Sequence, residues 1–303
     1  MAKNPISRRK FLIGGGAAVV AGSVWSAPGL GEADRPNLVR LEIPLRRLPP
    51  AFDGFTIAQL SDFHYDPYFS VKPNRIGVDV VNGLKPDLIV LTGDFVSVPF
   101  IETNAAIKQE IDQNMVPCGD LLAQLRAPNP VIAVLGNHDH GTDPKAVTAI
   151  LEGHGVKVFR NQSLPIERNG SRLWLAGVDS ASAKAAHIDP TLKAVPPNEA
   201  TVLLCHEPDF ADTAAKHPVD LQLSGHSHGG QILFPLVGAL YYPKLGRKYR
   251  RGLRKIGNTT LYVNCGIGTV GVPIRRNCPP EITLITLRAG ESVPTSRTEK
   301  IGG

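Results

Sequence analysis

Hydrophobic positions in the first half of the chain fall alternately into short apolar runs and into helical spacing. The short apolar runs predict buried strands at residues 55–60, 87–92 and 131–135. Apolar positions recur with helical spacing in residues 74–84 and 101–126, and Pro and Gly at 117–119 predict a break in the second helix. This alternation of strands and helices predicts a layered α/β domain.

The second half of the chain contains more strand-like runs and fewer helical ones. Helices are predicted over residues 144–153 and 210–216. Strands are predicted at residues 156–159, 165–167, 173–178, 201–205, 221–223, 231–234, 260–263 and 281–287. An alternating run at residues 39–44 predicts an edge strand before all of them. We therefore expect a second sheet packed on the first in a single domain over residues 37–290, followed by a flexible tail at 291–303.

The first thirty residues have the order of a targeting segment, basic and then apolar. Ser7-Arg8-Arg9-Lys10-Phe11-Leu12 precedes an uncharged apolar stretch at 13–24. The pair of arginines resembles a twin-arginine export signal, with Ile13 where a lysine is common. An ordinary secretory signal and an uncleaved anchor are the alternatives, although a membrane span needs roughly 20 apolar residues. Residues 1–30 therefore predict export by the twin-arginine machinery to the periplasm or the outer face of the cytoplasmic membrane.

Charge is distributed unevenly along a chain of otherwise ordinary globular composition. The 303 residues are 42% hydrophobic and 20% charged, with a formal net charge of +6. Four of the 33 basic residues and no acidic residue lie in 1–26, which leaves 29 basic against 27 acidic residues. The remaining excess is a local run without acids, formed by Lys244, Arg247, Lys248, Arg250, Arg251, Arg254 and Lys255. This basic run predicts contact with an anionic membrane or cell wall, and the expected export makes nucleic acid an unexpected partner.

The four cysteines show no pairing motif. Cys118, Cys205, Cys265 and Cys278 are far apart in sequence. Export would permit disulfides, but twin-arginine substrates fold in the reducing cytoplasm before they cross the membrane. Cys205 lies inside an apolar run and is predicted to be a small core residue. We predict no disulfide.

Residues that commonly bind metal ions follow five of the apolar runs. These blocks are Asp62-Phe63-His64, Gly93-Asp94, Gly136-Asn137-His138-Asp139, Cys205-His206 and Gly225-His226-Ser227-His228. Because sites in α/β sheets form outside the carboxyl ends of strands, we expect the blocks to meet in one cleft. Two carboxylates, one amide and four imidazoles are too many for one four-coordinate zinc and suit two ions that share a ligand. A mixed oxygen and nitrogen shell favours Mn, Fe or Zn over Mg or Ca.

Other ionisable residues are expected to lie outside this cluster. Solvated or structural roles are predicted for Asp66, His140, His154, His187 and His217. Asp179 and Asp209 follow strand-like runs as well, but we expect them to be loop residues.

The five blocks, in this order over residues 55–232, resemble the calcineurin-like metallophosphoesterase superfamily. Gly-Gly-Gln after the histidine pair and Asn-Cys-Gly-Ile-Gly-Thr at 264–269 are similar to its exported bacterial branch. The resemblance implies an α/β fold in which a two-sheet β-sandwich is flanked by helices, a four-layer α/β/β/α arrangement. For one metal ion it implies the ligands Asp62, His64 and His228. For the other it implies Asn137, His206 and His226, with Asp94 bridging the two.

The resemblance also implies a catalytic role for His138, which would face the substrate and be positioned by Asp139. A simpler role for Asp139 is to cap a turn. Two ions would turn a bridging water into hydroxide near neutral pH, and this hydroxide would attack phosphorus in line. His138 would stabilise the developing charge or protonate the leaving oxygen.

The sequence thus predicts a metal-dependent phosphodiesterase or pyrophosphatase that hydrolyses a phosphate ester of the cell envelope. Resemblance to lipid-sugar pyrophosphate hydrolases makes a glycolipid or phospholipid the attractive substrate. A metal-dependent amidase or lactamase is disfavoured, since such enzymes present His-x-His-x-Asp-His in one early block and this chain has Asp62-Phe63-His64 there. A non-catalytic, metal-stabilised envelope-binding protein is the remaining alternative.

Overall fold

The structure is a computed structural model that describes residues 32–301. The predicted signal or anchor at 1–30 lies outside the described residues. The strands are β1 (Asn37–Leu45), β2 (Thr56–Leu60), β3 (Leu88–Leu91), β4 (Ile132–Val134), β5 (Lys157–Phe159), β6 (Gln162–Arg168), β7 (Ser171–Gly177), β8 (Thr201–Leu204), β9 (Leu221–Ser224), β10 (Leu233–Phe234), β11 (Gly238–Ala239), β12 (Gly252–Ile256), β13 (Thr259–Val263), β14 (Glu281–Ala289) and β15 (Thr295–Lys300). The α-helices are α1 (Val71–Leu84), α2 (Asn104–Glu110), α3 (Val116–Leu122), α4 (Asn137–Thr142), α5 (Pro144–Gly153), α6 (Ile188–Leu192) and α7 (Ala211–Ala214).

Two large sheets pack face to face. The first has the strand order β15-β1-β14-β2-β3-β4-β5, and the second has the order β12-β13-β9-β8-β7-β6. Their inner faces share one apolar core, to which the first sheet contributes Ile57 and Val90 and the second Leu175, Val202 and Leu223. The strands of this core read as continuous apolar runs because both of their faces are covered.

Helices cover the outer face of each sheet. Apolar side chains of α1, α3 and α5, including Val81, Leu122 and Leu151, pack on the first sheet. Ile188 and Leu192 of α6 and Ala214 of α7 pack on the second. The predicted four-layer α/β/β/α fold is therefore confirmed. No helix within residues 32–301 is long and apolar enough to span a membrane.

The predictions for β1 and for the end of the chain were wrong for one shared reason. β1 is not an edge strand, because it pairs with β14 on one side and antiparallel with β15 on the other. Residues 295–300, which lie in the segment predicted to be a flexible tail, form β15. Its polar residues are largely exposed, so their composition resembles that of a tail. Arg40 and Glu299 form an ion pair of 3.2 Å across this contact.

Two helical predictions also need correction. No break occurs at residues 117–119, since α2 continues through a π-helical turn (Ile111–Met115) directly into α3. Pro117 lies in the first turn of α3, where a helix tolerates proline best. The segment between β7 and β8, for which no helix is predicted, contains the short helix α6.

Candidate active site and metal centre

The predicted ligands of the first sheet lie where β2 and β3 end side by side. Backbone pairing continues past both strands, because the amide of Asp62 donates to the carbonyl of Gly93 (2.9 Å) and that of His64 to Asp94 (3.0 Å). Asp62, His64 and Asp94 have positive φ angles of 54°, 37° and 57°. Such angles are uncommon for residues other than glycine and concentrate at functional sites. Here they turn three buried polar side chains toward one region.

The second sheet reaches this region through the segment after β9. A Cβ at Gly225 would overlap the side chains of Ser61 and Asp62, so glycine is required for the close approach. The next amide, that of His226, donates to the Asp62 carboxylate (2.9 Å). His226 and His228 also have positive φ angles, of 69° and 50°. The two sheets therefore meet at the ligand-bearing edge.

One group of potential metal ligands consists of Asp62, His64 and His228, all buried. The Nε2 atoms of His64 and His228 lie 3.1 Å apart. Asp62 Oδ1 lies 3.3 Å from His228 Nε2, and Asp94 Oδ2 lies 3.6 Å from His64 Nε2. Two imidazole nitrogens and two carboxylate oxygens thus converge on one point.

A second group consists of Asp94, His206 and His226. Asp94 Oδ2 lies 3.1 Å from His206 Nε2, which lies 3.2 Å from His226 Nδ1. The Oδ1 atom of Asn137 is buried and has no hydrogen-bond partner among residues 32–301. A buried acceptor without a partner is costly, and a bound cation would satisfy it. Because Asp94 Oδ2 also lies near His64, its carboxylate stands between the two groups.

The hydrogen bonds of the second group fix where its lone pairs point. His206 Nδ1 lies 2.6 Å from the carbonyl oxygen of Thr92, and His226 Nε2 lies 2.8 Å from that of Lys244. A carbonyl oxygen only accepts, so these nitrogens carry the hydrogens. In the neutral rings the two facing nitrogens therefore both carry lone pairs. Two lone pairs 3.2 Å apart repel each other unless a cation lies between them, and bonds from the opposite ring nitrogen are typical of metal-binding histidines.

The electrostatics of the site favour a bound cation. Burial opposes ionisation of Asp94, but His206 and His138 hold the pKa of its carboxyl well below the usual range. Burial likewise opposes protonation of His206, but Asp94 raises the pKa of this imidazole well above its ordinary value. Burial lowers the pKa of His64 to about 3 and raises that of Asp62 to about 6. The field that attracts a proton to His206 would attract a divalent ion more strongly, so the donor set fits two such ions.

His138 lies at the edge of this cluster. Its ring contacts that of His64 edge to face, with centroids 4.7 Å apart, and its backbone amide donates to Asp94 Oδ1 (2.8 Å). Its Nδ1 accepts a hydrogen bond from the amide of Val98 (3.1 Å). The lone pair of Nδ1 is thus occupied, and the neutral ring carries its hydrogen on Nε2. His138 lines the cleft beside the ligands as a hydrogen-bond donor.

The structure gives Asp139 a different role from the predicted positioning of His138. Its carboxylate accepts hydrogen bonds from the amides of Gly136 (2.8 Å), Asp94 (2.9 Å) and Phe95 (2.8 Å). These bonds tie the segment after β4 to the segment after β3, and within the described chain none comes from the His138 ring. Burial and the nearby Asp94 raise the pKa of Asp139 to about 7. Asp139 therefore holds the backbone of both ligand segments, which corresponds to the turn-capping alternative.

Sequence reasoning missed several residues that support the ligands. Arg275 is fully buried and donates from Nη2 to the carbonyls of Cys265 (2.9 Å) and Gly266 (3.0 Å), while this nitrogen lies 3.5 Å from His228 Nδ1. Ser97 Oγ lies 2.9 Å from His64 Nδ1. The sequence gives no sign of this role for Arg275, because its hydrogen-bond partners are backbone carbonyls and any residue type can supply a carbonyl.

The two ligand groups formed by the described residues do not include Asp66, His140, His154, His187 or His217. His140 is not simply solvated, since its Nε2 lies 2.5 Å from the buried Asp179, which also pairs with Arg160 (2.7 Å). Asp209 accepts from the backbone amide of Tyr249 (2.9 Å) and so organises the basic run. The four cysteines are free and buried.

A cleft of about 430 Å³ opens directly over the two ligand groups. Its lining includes polar residues, among them Asn137 and His138, and the apolar side chains of Ile232, Phe234, Leu240, Tyr241 and Val270. A substrate with a phosphate group and an apolar substituent would match both kinds of lining.

Comparison with known proteins agrees with this geometry. The sequence model of the calcineurin-like phosphoesterase family matches residues 55–230. The uncharacterized metallophosphoesterase YkuE of Bacillus subtilis (strain 168) is 36% identical over 292 residues, covering 94% of this chain and 98% of the relative. Phosphodiesterase YaeI of Escherichia coli (strain K12) is 30% identical over 285 residues, covering 93% and 99%.

Similarity to solved structures is low by comparison. An NAD nucleotidase of Haemophilus influenzae has a TM-score of 0.46 and 12% identity, covering 70% of this chain and 45% of that one. This likeness adds nothing to the assignment, which depends on the sequence matches and on the ligand groups. The chain belongs to the calcineurin-like phosphoesterase family and is a metal-dependent phosphoric ester hydrolase.

Proposed function

We propose that this enzyme is a phosphodiesterase or pyrophosphatase that acts on a phosphate ester of the cell envelope. The observation that carries the proposal is the position of Asp94 between two ligand groups at the floor of a half-apolar cleft. When bound, two divalent ions would supply an activated water and would neutralise the phosphoryl oxygens. The name of the relative YaeI supports a diester as the bond that is cleaved.

The chain's own residues supply the remaining chemistry. The Asp94 carboxylate accepts a hydrogen bond from the backbone amide of His138 (2.8 Å). This bond fixes the position of the His138 backbone relative to the carboxylate that stands between the two ligand groups. The amide of Val98 directs the His138 proton to Nε2, which is the atom placed to donate to a leaving oxygen in the cleft. The apolar wall, with Phe234 and Leu240, would bind the substituent of the ester and exclude water beside it.

The decisive experiment uses metal-stripped protein and two model esters. Bis-p-nitrophenyl phosphate reports diester cleavage and p-nitrophenyl phosphate reports monoester cleavage, with Mn, Fe, Zn or Mg restored one at a time. We expect metal-dependent turnover of the diester and its loss in Asp94→Asn. The metal that restores the greatest turnover at equal occupancy identifies the preferred ion.

The same experiment separates the enzyme from the non-catalytic alternative. Protein that binds about two ions per chain and turns over neither ester with any metal would be the envelope-binding protein instead. Turnover of the monoester alone would replace the proposed diesterase by a phosphomonoesterase.

The envelope location is supported by the order of basic and apolar residues at the N-terminus. Replacing Arg8 and Arg9 by Lys removes the paired guanidinium groups and keeps the charge. We expect this double variant to stay in the cytoplasm of a cell in which the unaltered chain is exported. Cell fractionation and immunoblotting measure where each protein is located. Export of both proteins would show that a different route is used.

A further inference from the structure

Most large apolar side chains that face solvent lie on segments that follow the ligand-bearing strands, and two of them line the cleft. Of the ten such side chains among residues 32–301, eight lie on three segments that follow the ligand-bearing strands β2, β3 and β9. Contiguous exposed apolar surface on a folded protein marks an interaction site more often than scattered single residues do. The position of these eight therefore calls for a partner at this edge of the molecule.

The first two segments leave the first sheet side by side. Tyr68 (82% exposed) and Phe69 (59%) follow His64, and Phe100 (73%) and Ile101 (68%) follow Asp94. The strands that precede them remain paired beyond the ligands, since the Tyr65 amide donates to the carbonyl of Phe95 (2.9 Å). The carboxylate of Asp66 accepts from the amides of Tyr68 (2.7 Å) and Phe69 (2.9 Å), which fixes a turn with both rings outside the core.

The third segment is a hairpin that projects from the site. β10 and β11 pair antiparallel, and the turn between them carries Leu236 and Val237, of which Leu236 is fully exposed at a φ of 65°. A branched apolar residue at a positive φ is strained, and here the strained residue is placed in solvent. Leu240 and Tyr241 continue the apolar surface and also line the cleft over the metal ligands.

Basic side chains stand next to this hairpin. The Arg250 guanidinium lies 4.7 Å from the ring centroid of Tyr242, and Arg247 Nε donates to the Tyr242 carbonyl (3.2 Å). Lys248 is neutralised by Asp212 (2.7 Å), whereas Arg247 and Arg250 pair with no acidic side chain in the described part of the chain. Their segment is held beside the metal ligands by the bond from His226 to the Lys244 carbonyl.

The register of β12 places the end of the basic run elsewhere. Gly252 lies opposite Val263, at the ligand-bearing end of the second sheet, whereas Lys255 lies opposite Thr260 near the other end. At roughly 3.3 Å per residue, Lys255 lies about 10 Å down the strand. Arg247 and Arg250 therefore lie next to the hairpin, whereas Lys255 lies farther along β12 from the ligand-bearing end.

We infer that the mouth of the active site docks on an anionic lipid bilayer, with the hairpin tip and the neighbouring loops entering the interface and Arg247 and Arg250 facing the headgroups. Apolar and aromatic side chains ringed by arginine match this partner, because the acyl region accepts the former and anionic headgroups attract the latter. Docking there would bring the phosphate of a membrane lipid to the metal ligands. This consequence for substrate choice rests on the proposed function, whereas docking itself does not require catalysis.

Docking is tested by sedimentation of the full-length chain with vesicles of phosphatidylcholine alone and of an equimolar mixture with phosphatidylglycerol. Leu236→Asn with Val237→Ser removes the apolar tip, and asparagine tolerates the positive φ. We expect this variant to lower partitioning onto the mixed vesicles about tenfold. Val293→Ser is the matched control, because Val293 is 84% exposed on the turn between β14 and β15, and it should bind as the unaltered chain does.

A pair of charge variants tests the headgroup contact. Arg247→Ala with Arg250→Ala should weaken binding to the mixed vesicles at least about fivefold. Arg254→Ala with Lys255→Ala removes the same charge from β12 and should leave binding unchanged. The N-terminal segment is common to all of these proteins, so differences in vesicle binding between them come from the substituted residues alone. Equal binding by all variants, or self-association of the chain without vesicle binding, would overturn the inference.

Turnover of bis-p-nitrophenyl phosphate by the same samples keeps the two proposals apart. If the hairpin-tip and Arg247/Arg250 variants bind vesicles more weakly but turn over this soluble ester as the unaltered chain does, docking through these residues is supported. If the unaltered chain binds the mixed vesicles but cleaves no ester, the proposed function is wrong and the docking inference is retained.

Discussion

His206 Nε2 lies 3.2 Å from His226 Nδ1, and the opposite nitrogen of each ring donates to a backbone carbonyl. This relationship predicts that the pair holds one of two metal ions. His226→Ala should lower the metal content from about two ions per chain to about one, because Asp62, His64 and His228 remain. Elemental analysis after dialysis measures this content.

The exposed His187 provides the control for that measurement. His187→Ala removes an imidazole outside both ligand groups and should retain the full metal content. Asp94→Asn should reduce binding of both ions, since its carboxylate stands between the groups. Full occupancy in His226→Ala would contradict the assignment of the second group.

His138 should affect turnover and not metal content. His138→Ala removes the Nε2 donor from the cleft, and we expect turnover of a phosphodiester to fall about 10²- to 10⁴-fold. Metal content should stay at the level of the unaltered chain, since the Nδ1 lone pair of His138 already accepts from Val98. Loss of an ion from this variant would show that His138 is a ligand. Its distance from His64 and Asp94 would permit that role.

Gly229 should tolerate no side chain. It has a φ of 58°, and a Cβ there would lie 2.7 Å from the sulfur atoms of both Cys265 and Cys278. Gly229→Ala should lower the free energy of unfolding by about 1–3 kcal/mol, through overpacking and backbone strain. Urea denaturation measures the change. Gly153→Ala, at a helical position with no atom near the new methyl group, should be neutral or stabilising.

Glu281 should make stability depend on pH. Burial raises the pKa of its carboxyl above the ordinary value of 4.5, although Tyr262 donates to it. A raised folded pKa contributes stability that is present below the unfolded pKa and is lost as the pH rises through the folded pKa. Glu281→Gln should therefore gain stability relative to the unaltered chain as the pH rises from about 4 to about 8.

Urea denaturation across that range tests the prediction for Glu281. The difference between the two proteins isolates this group from the metal ligands, which also titrate. A constant difference in the free energy of unfolding would show that Glu281 titrates normally in the folded protein.

Several features of the fold followed from local patterns. The apolar runs that became β3, β4, β8 and β9 are buried on both faces, so each run is unmistakable and each ends at a ligand-type residue. β15 could not be predicted, since its residues are mostly exposed and polar and acquire strand structure only by pairing with β1. The same holds for α6, whose five residues are too few to show a helical period.

The candidate site divides in the same way. The types of ligand and their order along the chain could be predicted from the sequence. Carboxylates, an amide and imidazoles that all follow strands share few roles other than binding metal ions. Arg275 was not readable, because its hydrogen bonds go to carbonyls brought close only by the packed loops. For Asp139 the sequence left two roles open, and the choice between them depends on three amides from two different segments, which come together only in the folded chain.

The sequence by itself determined which residues bear chemistry and that they follow strands, because hydrophobic period and side-chain type are local properties. The resemblance carried by the five blocks implied that Asp94 bridges two ions, but only the tertiary structure decided where its carboxylate lies relative to both ligand groups and that His206 and His226 face each other with lone pairs. It also decided that Leu240 and Tyr241, which lie far in sequence from Asp94 and Asn137, line the same cleft. Such relations depend on how two sheets meet at one edge, and that meeting is set by contacts between residues distant in sequence.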